Sequence, residues 1–276
     1  MTYNAILVQL DIDGPTAQRL SFARDLARRF DAELIGFSAC NVRPIMAAPP
    51  PGAVLDGEFM RLEAEEIGRR LEALKEEFET EVGSARRTSW RSFVGDPTRA
   101  LAKAARAADL IVAGRPSTAS VADAHRAIDL GELVLSAGRP VLVPADDGQP
   151  LNAERVLVAW KDTREARRAI VDALPFLVDA REVLVATIEH RARDEARDSA
   201  LDVAGFLKSH GATATADVVG HQNRDDGAVL AARAKEIGAD LIVSGAYGHS
   251  RLREWAFGGV TRSLLREGSV SRLMSY

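Results

Sequence analysis

The chain has 276 residues, of which 46% are hydrophobic and 28% charged, with a formal net charge of -4. That length allows two domains of ordinary size, each with its own core, and the acidic balance excludes the basic footprint of a nucleic-acid-binding domain. A single cysteine, Cys40, rules out an internal disulfide, and its place at the end of an apolar run predicts a buried thiol. With no leading charged-then-apolar segment and no run approaching eighteen apolar residues, neither a signal peptide nor a membrane span is expected, and the location read from the sequence is cytoplasmic.

Taken in order, residues 5–10 (Ala-Ile-Leu-Val-Gln-Leu) read as a buried strand ended by Asp11-Ile12-Asp13-Gly14-Pro15. A helix is predicted over 16–30 and a second strand over 32–39. Residues 42–57 hold Pro44, Pro49, Pro50 and Pro51 and read as a loop, either a lid or a plain surface connection. A long charged helix follows over 58–82, with Leu62, Ile67, Leu71, Leu74 and Phe78 as its apolar stripe. A strand at 89–94, a helix at 97–107 opened by Pro97, a strand at 109–113, a helix at 125–136 and a strand at 140–143 complete the first half. Residues 144–152 look like a linker.

The second half replays this order: strand 155–160, helix 163–177, strand 182–188, helix 193–209, strand 213–219, helix 226–237, strand 240–243, a helix containing 261–266, and a weak fifth strand at 270–274. The repeat is visible in residues too. Ala108-Asp109-Leu110-Ile111-Val112-Ala113-Gly114 matches Ala239-Asp240-Leu241-Ile242-Val243-Ser244-Gly245 at six of seven positions. Strands alternating with helices imply parallel sheets joined by right-handed crossovers. The chain is therefore predicted to hold two copies of one α/β domain, over 1–148 and 149–276, related by an approximate two-fold axis.

One stretch carries chemistry. The apolar run Leu241-Ile242-Val243 stops at Gly245; Gly248 follows after two residues and Gly258 after nine more, and a helical pattern begins beyond Gly259 with Thr261 in its first turn. Strand, glycine loop and helix start is the arrangement in which bare main-chain N–H groups hold phosphate oxygens. Glycine leaves room for a ligand to approach the main chain. The same glycines also serve as ordinary turn formers.

This G-x2-G-x9-G, followed by a small residue and directly preceded by A-D-L-I-V-x-G, resembles the nucleotide-binding signature of the universal stress protein family. The resemblance covers nearly the whole chain, twice over. It implies two tandem domains of the family's kind, each a five-stranded parallel sheet flanked by helices, Rossmann-like and akin to the adenine nucleotide alpha hydrolase-like fold. It further implies ATP as ligand, with or without Mg, and pairing either as a homodimer or between tandem domains.

The two copies keep different parts of the family's site. The first has Asp11 where the family places an acid after its first strand. Its loop reads Gly114-Arg115-Pro116-Ser117, four extra residues precede Gly131, and Glu132 replaces the expected small hydroxyl residue. Repulsion between a carboxylate and a nearby phosphate is on the order of 1–4 kcal/mol, so this copy reads as degenerate. The second has Gly245, Gly248, Gly258 and Thr261, but Lys161 stands where the acid is expected. Either Asp162 takes over by a one-residue slide or the acidic contact is lost, and Lys161 either holds an anion or marks a lost site. Gly259 replaces the family's serine or threonine. Arg251 and Arg253 could reach phosphates or lie solvated; His249 reads as a surface residue.

No Gly-x-Ser-x-Gly elbow or Gly-x4-Gly-Lys-Ser/Thr loop occurs, and the five histidines lack metal-ligand spacing. The expectation is a stress-response or regulatory protein that binds an adenine nucleotide in 149–276. A non-nucleotide interaction protein of the same family is the alternative. Weak ATP hydrolysis comes third, since it needs a water-positioning group near the γ-phosphate and none is evident.

Overall fold

The computed structural model describes residues 2–42, 55–83, 87–115, 125–189, 193–220, 225–247, 259–266 and 268–276. Most of the proline-rich stretch lies outside them, as do Ser117, Gly248, His249, Arg251, Arg253, Trp255 and Gly258. Among the described residues no helix is long and apolar enough to cross a membrane.

The first half runs β1 (Ala5–Gln9), α1 (Ala17–Phe30), β2 (Glu33–Cys40), α2 (Leu55–Val82), β3 (Thr88–Val94), α3 (Pro97–Ala104), β4 (Leu110–Val112), α4 (Leu130–Ser136) and β5 (Val141–Val143). The second runs β6 (Arg155–Trp160), α5 (Arg164–Leu177), β7 (Glu182–Glu189), α6 (Arg193–Ser209), β8 (Ala214–Gly220), α7 (Asp226–Glu236), β9 (Leu241–Gly245), α8 (Gly259–Arg266) and β10 (Ser271–Ser275). The strands form one sheet of ten, in the order β3-β2-β1-β4-β5-β10-β9-β6-β7-β8. Read outward from its centre, each half has the same order. Every neighbouring pair is parallel except β5 and β10, which meet antiparallel with Leu142 opposite Leu273. The strands of the two halves therefore run in opposite directions, and their carboxyl ends face opposite edges of the molecule.

Helices cover both faces. Residues of α1, α5 and α6 pack with Ile6, Val8, Val156, Val158 and Leu273 on one side. Residues of α3, α4, α7 and α8 pack with Leu7, Ile111, Leu157, Ile242 and Met274 on the other. Alternation along each strand assigns successive side chains to the two faces, and burial on both faces explains the unbroken apolar runs in the sequence.

Several boundaries differ from expectation for physical reasons. The helix expected from 125 begins only at Leu130, where the Asp129 side chain accepts a hydrogen bond from the Glu132 N–H at 2.9 Å. The helix opened by Pro97 ends at Ala104 and tightens into a 3-10 turn over Ala105–Ala107. Leu62 is not in the buried stripe of α2 but 51% exposed, whereas Ile67, Leu71, Leu74 and Phe78 are buried. The fifth strand of the second half is a fully buried strand, not a weak one. Cys40 is buried, as expected.

The repeated Ala-Asp-Leu-Ile-Val-x-Gly earns its duplication in main-chain bonding. Asp109 accepts from the N–H groups of Asn4 (2.7 Å) and Ala5 (3.1 Å). Asp240 does the same for Glu154 (3.0 Å) and Arg155 (3.1 Å). In each half one carboxylate ties the start of the central strand to its neighbour.

The two halves share an aromatic cluster. The Tyr3 and Phe30 rings meet edge-on at 5.0 Å, as do Phe30 and Phe176 at 5.2 Å, while Tyr3 and Phe176 lie tilted at 5.5 Å. The Arg29 guanidinium lies 5.4–5.5 Å from the centres of both phenylalanine rings and donates to the Asn152 carbonyl at 2.6 Å. The Tyr3 hydroxyl donates to the Asp172 carbonyl at 2.6 Å. Phe176→Ala is expected to cost about 3–5 kcal/mol, as for a buried aromatic truncation, and to lower the thermal midpoint while leaving one unfolding transition. Separate melting of the two halves would contradict a shared core.

Candidate functional site

In an open α/β sheet, ligands bind beyond the carboxyl ends of the strands where the winding direction switches. Here the switch lies between β1 and β4 in one half and between β6 and β9 in the other.

The first crevice is closed by the chain itself. Arg19, the third residue of α1, donates from Nη1 to the Gln9 carbonyl (2.9 Å) and to Gln9 Oε1 (2.6 Å). Its Nη2 reaches Asp11 Oδ2 (3.2 Å) and the Arg115 carbonyl (3.4 Å). Gln9 Nε2 donates to the remaining Asp11 oxygen at 2.8 Å. The guanidinium lies over Gly114, so that a Cβ there would collide with it. Asp11, the family acid, is only 2% exposed at its side chain and faces Arg19 instead of an open crevice. Arg19 fills this crevice independently of Ser117 and Glu132, and sequence reasoning passed over it. Its signal was available: Ala166 is the third residue of α5 in the second copy.

The second crevice has no such plug among the described residues. The third residue of α5 is Ala166, and the helix start itself packs on Gly245. A Cβ at Gly245 would collide with the Ala166 nitrogen and sit 2.7 Å from the Glu165 carbonyl carbon. The Cβ side of Gly245 is therefore filled by the start of α5. Register fixes the equivalence of Lys161 with Asp11, because Ile6 lies opposite Leu110 and Val156 opposite Leu241. Asp162 does not slide into the acid's place. It is exposed, ion-paired with Arg167, and lines a cleft between α5 and α6. Lys161 is exposed and makes no ion pair among the described residues.

Beyond β9 the chain turns at Tyr247, whose φ of 60° lies in the left-handed region that only a few per cent of non-glycine residues adopt. The Tyr247 N–H donates to Thr261 Oγ1 at 3.2 Å, and Thr261 is buried. That hydroxyl therefore ties together the two ends of the segment holding Gly248 and Gly258. Gly259 opens α8 and is exposed. The Asp225 carboxylate, which caps α7 through the Ala228 N–H, lies 3.4 Å from where a Gly259 Cβ would be. Among the described residues no group of three or more His, Cys, Asp or Glu could hold a metal ion.

Two outcomes follow from this geometry. Removing one partner of a buried ion pair typically costs about 3–5 kcal/mol, whereas replacing both with apolar residues is often near neutral. Arg19→Met should therefore lower stability in urea by about that amount, and Arg19→Met with Asp11→Leu should recover most of the loss. The Tyr247 phenol is pushed up to about 12 by burial and by the Asp129 charge. A raised pKa means that its contribution is intact below the ordinary value of 10.0 and drains away as pH rises towards 12. Tyr247→Phe should lessen the fall of the thermal midpoint over that window, and an unchanged fall would disprove the assignment.

Comparison with known proteins places this architecture. The model of the universal stress protein family matches residues 137–274, and no curated protein matches the chain. A universal stress protein from Archaeoglobus fulgidus DSM 4304 superposes with a TM-score of 0.71 at 16% identity, covering 99% of this chain and 96% of that one. A functionally unknown protein from Pseudomonas aeruginosa PAO1 superposes with a TM-score of 0.60 at 14% identity, covering 99% and 92%. A putative universal stress protein from Pseudomonas aeruginosa UCBPP-PA14 gives 0.58 at 16%, covering 99% and 93%. These likenesses extend across both halves of the fold. With its family-specific match over half its length, the chain belongs to the universal stress protein family.

Proposed function

We propose that this protein binds an adenine nucleotide, ATP with Mg, at the crevice between β6 and β9 and acts as a regulatory factor in stress response. The observation that carries the reading is the bond from the Tyr247 N–H to Thr261 Oγ1. It holds the end of β9 against the first turn of α8, at the switch point between β6 and β9. Main-chain N–H groups of Gly248, Gly258 and Gly259, with the positive end of α8, would supply the phosphate cradle. Lys161 would add positive charge. The Asp225 carboxylate beside Gly259 opposes bare phosphate, which favours the Mg complex over the free nucleotide.

The second reading, an interaction protein that binds no nucleotide, draws on two facts. Lys161 stands in place of the acid, and the Thr261 hydroxyl already accepts from Tyr247. On that reading the shared sheet and the outer surfaces would carry the function.

Calorimetric titration with ATP, with and without Mg, separates the readings. Binding that needs Mg and falls at least about tenfold in Gly248→Glu, as one misplaced charge at a protein surface would cause, supports the first. No heat in either protein, together with no nucleotide released from protein purified without denaturant, supports the second. Gly245→Ala is a poor probe, because its Cβ would displace the start of α5 and alter the fold.

A further inference from the structure

We propose that the cleft between α5 and α6 is a second binding site, separate from the glycine loop, for a small organic cation with an apolar body. The cleft has a volume of about 680 Å³, within the roughly 300–1,000 Å³ range of small-molecule pockets. Its apolar surface comes from Trp160, Ile170, Val171, Val203 and Phe206. Val171 and Phe206 are 44% and 41% exposed, unusually open for residues of their size. Trp160 is fixed in the wall by donating from Nε1 to Ser199 Oγ at 2.9 Å.

Charge selects the occupant. Glu195, Asp198 and Asp202 fall on successive turns of α6 and line the cleft together. None of the three has a cationic partner among the described residues. Asp162 on the opposite side is already matched by Arg167. An apolar floor beneath three unmatched carboxylates complements an ammonium or guanidinium carried on a hydrophobic body, and repels an anion of the same shape.

The other repeat supplies an internal control. The equivalent space between α1 and α2 also forms a cleft, of about 510 Å³, but no aromatic side chain lines it, and polar contacts join its two helices: Thr16 Oγ1 donates to Glu77 at 3.1 Å and Arg24 pairs with Glu81. There Glu77 and Glu81 of the longer helix face a hydroxyl and a cation of the chain itself. The aromatic wall and the three unmatched carboxylates are thus features of the α5–α6 cleft and not of the fold.

The test uses three probes that share one apolar body, 4-phenylbutylammonium, 4-phenylbutanol and 4-phenylbutyrate, titrated calorimetrically into the full-length protein. The ammonium is expected to bind about tenfold more tightly than the alcohol, the scale of one well-placed charge near a protein surface, and the carboxylate more weakly than either. The ammonium should also change tryptophan emission in step with binding, and Trp160→Phe should abolish that change. Asp198→Asn with Asp202→Asn should remove the preference for the ammonium. Asp194→Asn, an exposed carboxylate of the same helix outside the cleft, should leave it intact. Equal affinity for the three probes, or the same preference in the double variant, would overturn the proposal. So would binding of a basic amphipathic peptide at Trp160 without binding of the amine, which would assign the cleft to a protein partner. None of these outcomes depends on whether ATP binds the glycine loop.

Discussion

The structure depends on the antiparallel contact of β5 with β10. These two short strands, with Leu142 opposite Leu273, turn two five-stranded units into one sheet and remove an exposed edge from each. An open edge is a template for pairing with other chains, and here each unit's edge is covered by the other. Polar ties reinforce the seam. Arg272 is wholly buried beside it and donates to the Val270 carbonyl at 2.7 Å. The Asp146 N–H donates to the Gly268 carbonyl at 2.8 Å. Arg115, from the loop after β4, pairs with Asp146 and donates to the Arg266 carbonyl at 2.9 Å, at the end of α8. The Tyr3, Phe30 and Phe176 rings then give both halves a single core.

That geometry also decides where chemistry can occur. Because the strands of the two halves run in opposite directions, the two crevices open at opposite edges of the sheet. Each is built by its own first helix. In the first half α1 projects Arg19 across the crevice and binds the strand ends together. In the second, α5 brings only its main chain against Gly245. One difference of side chain at the third helical position thus separates a filled crevice from one free of any described plug.

The fold was legible in the sequence because the apolar runs of both halves are buried on two faces, and their order repeats. The duplicated Ala-Asp-Leu-Ile-Val-x-Gly was visible, but the reason for its aspartate was not. Asp109 and Asp240 act on main-chain N–H groups more than eighty residues away, a relation that no local pattern encodes. Gly245 was read as room for a ligand, and the structure packs the start of α5 where its side chain would lie. Both readings need an absent Cβ, so residue type could not separate them. The onset of α4 at Leu130 was hidden because the turn before it contains helix-compatible residues, and only the Asp129 side chain marks the start. Arg19 was not singled out in the sequence. Its role rests on Gln9, Asp11 and the Arg115 carbonyl converging from three loops or strands, which a linear reading does not bring together.

Arg19 has a last consequence that follows from carrying both repeats on one polypeptide. In an assembly of identical subunits, an arginine at that position would obstruct every copy of the crevice at once, and the assembly would lose them all. On a tandem chain the change is confined to one repeat. One unit is free to become a rigid scaffold, held by an internal ion pair, while its sibling retains the latitude to bind.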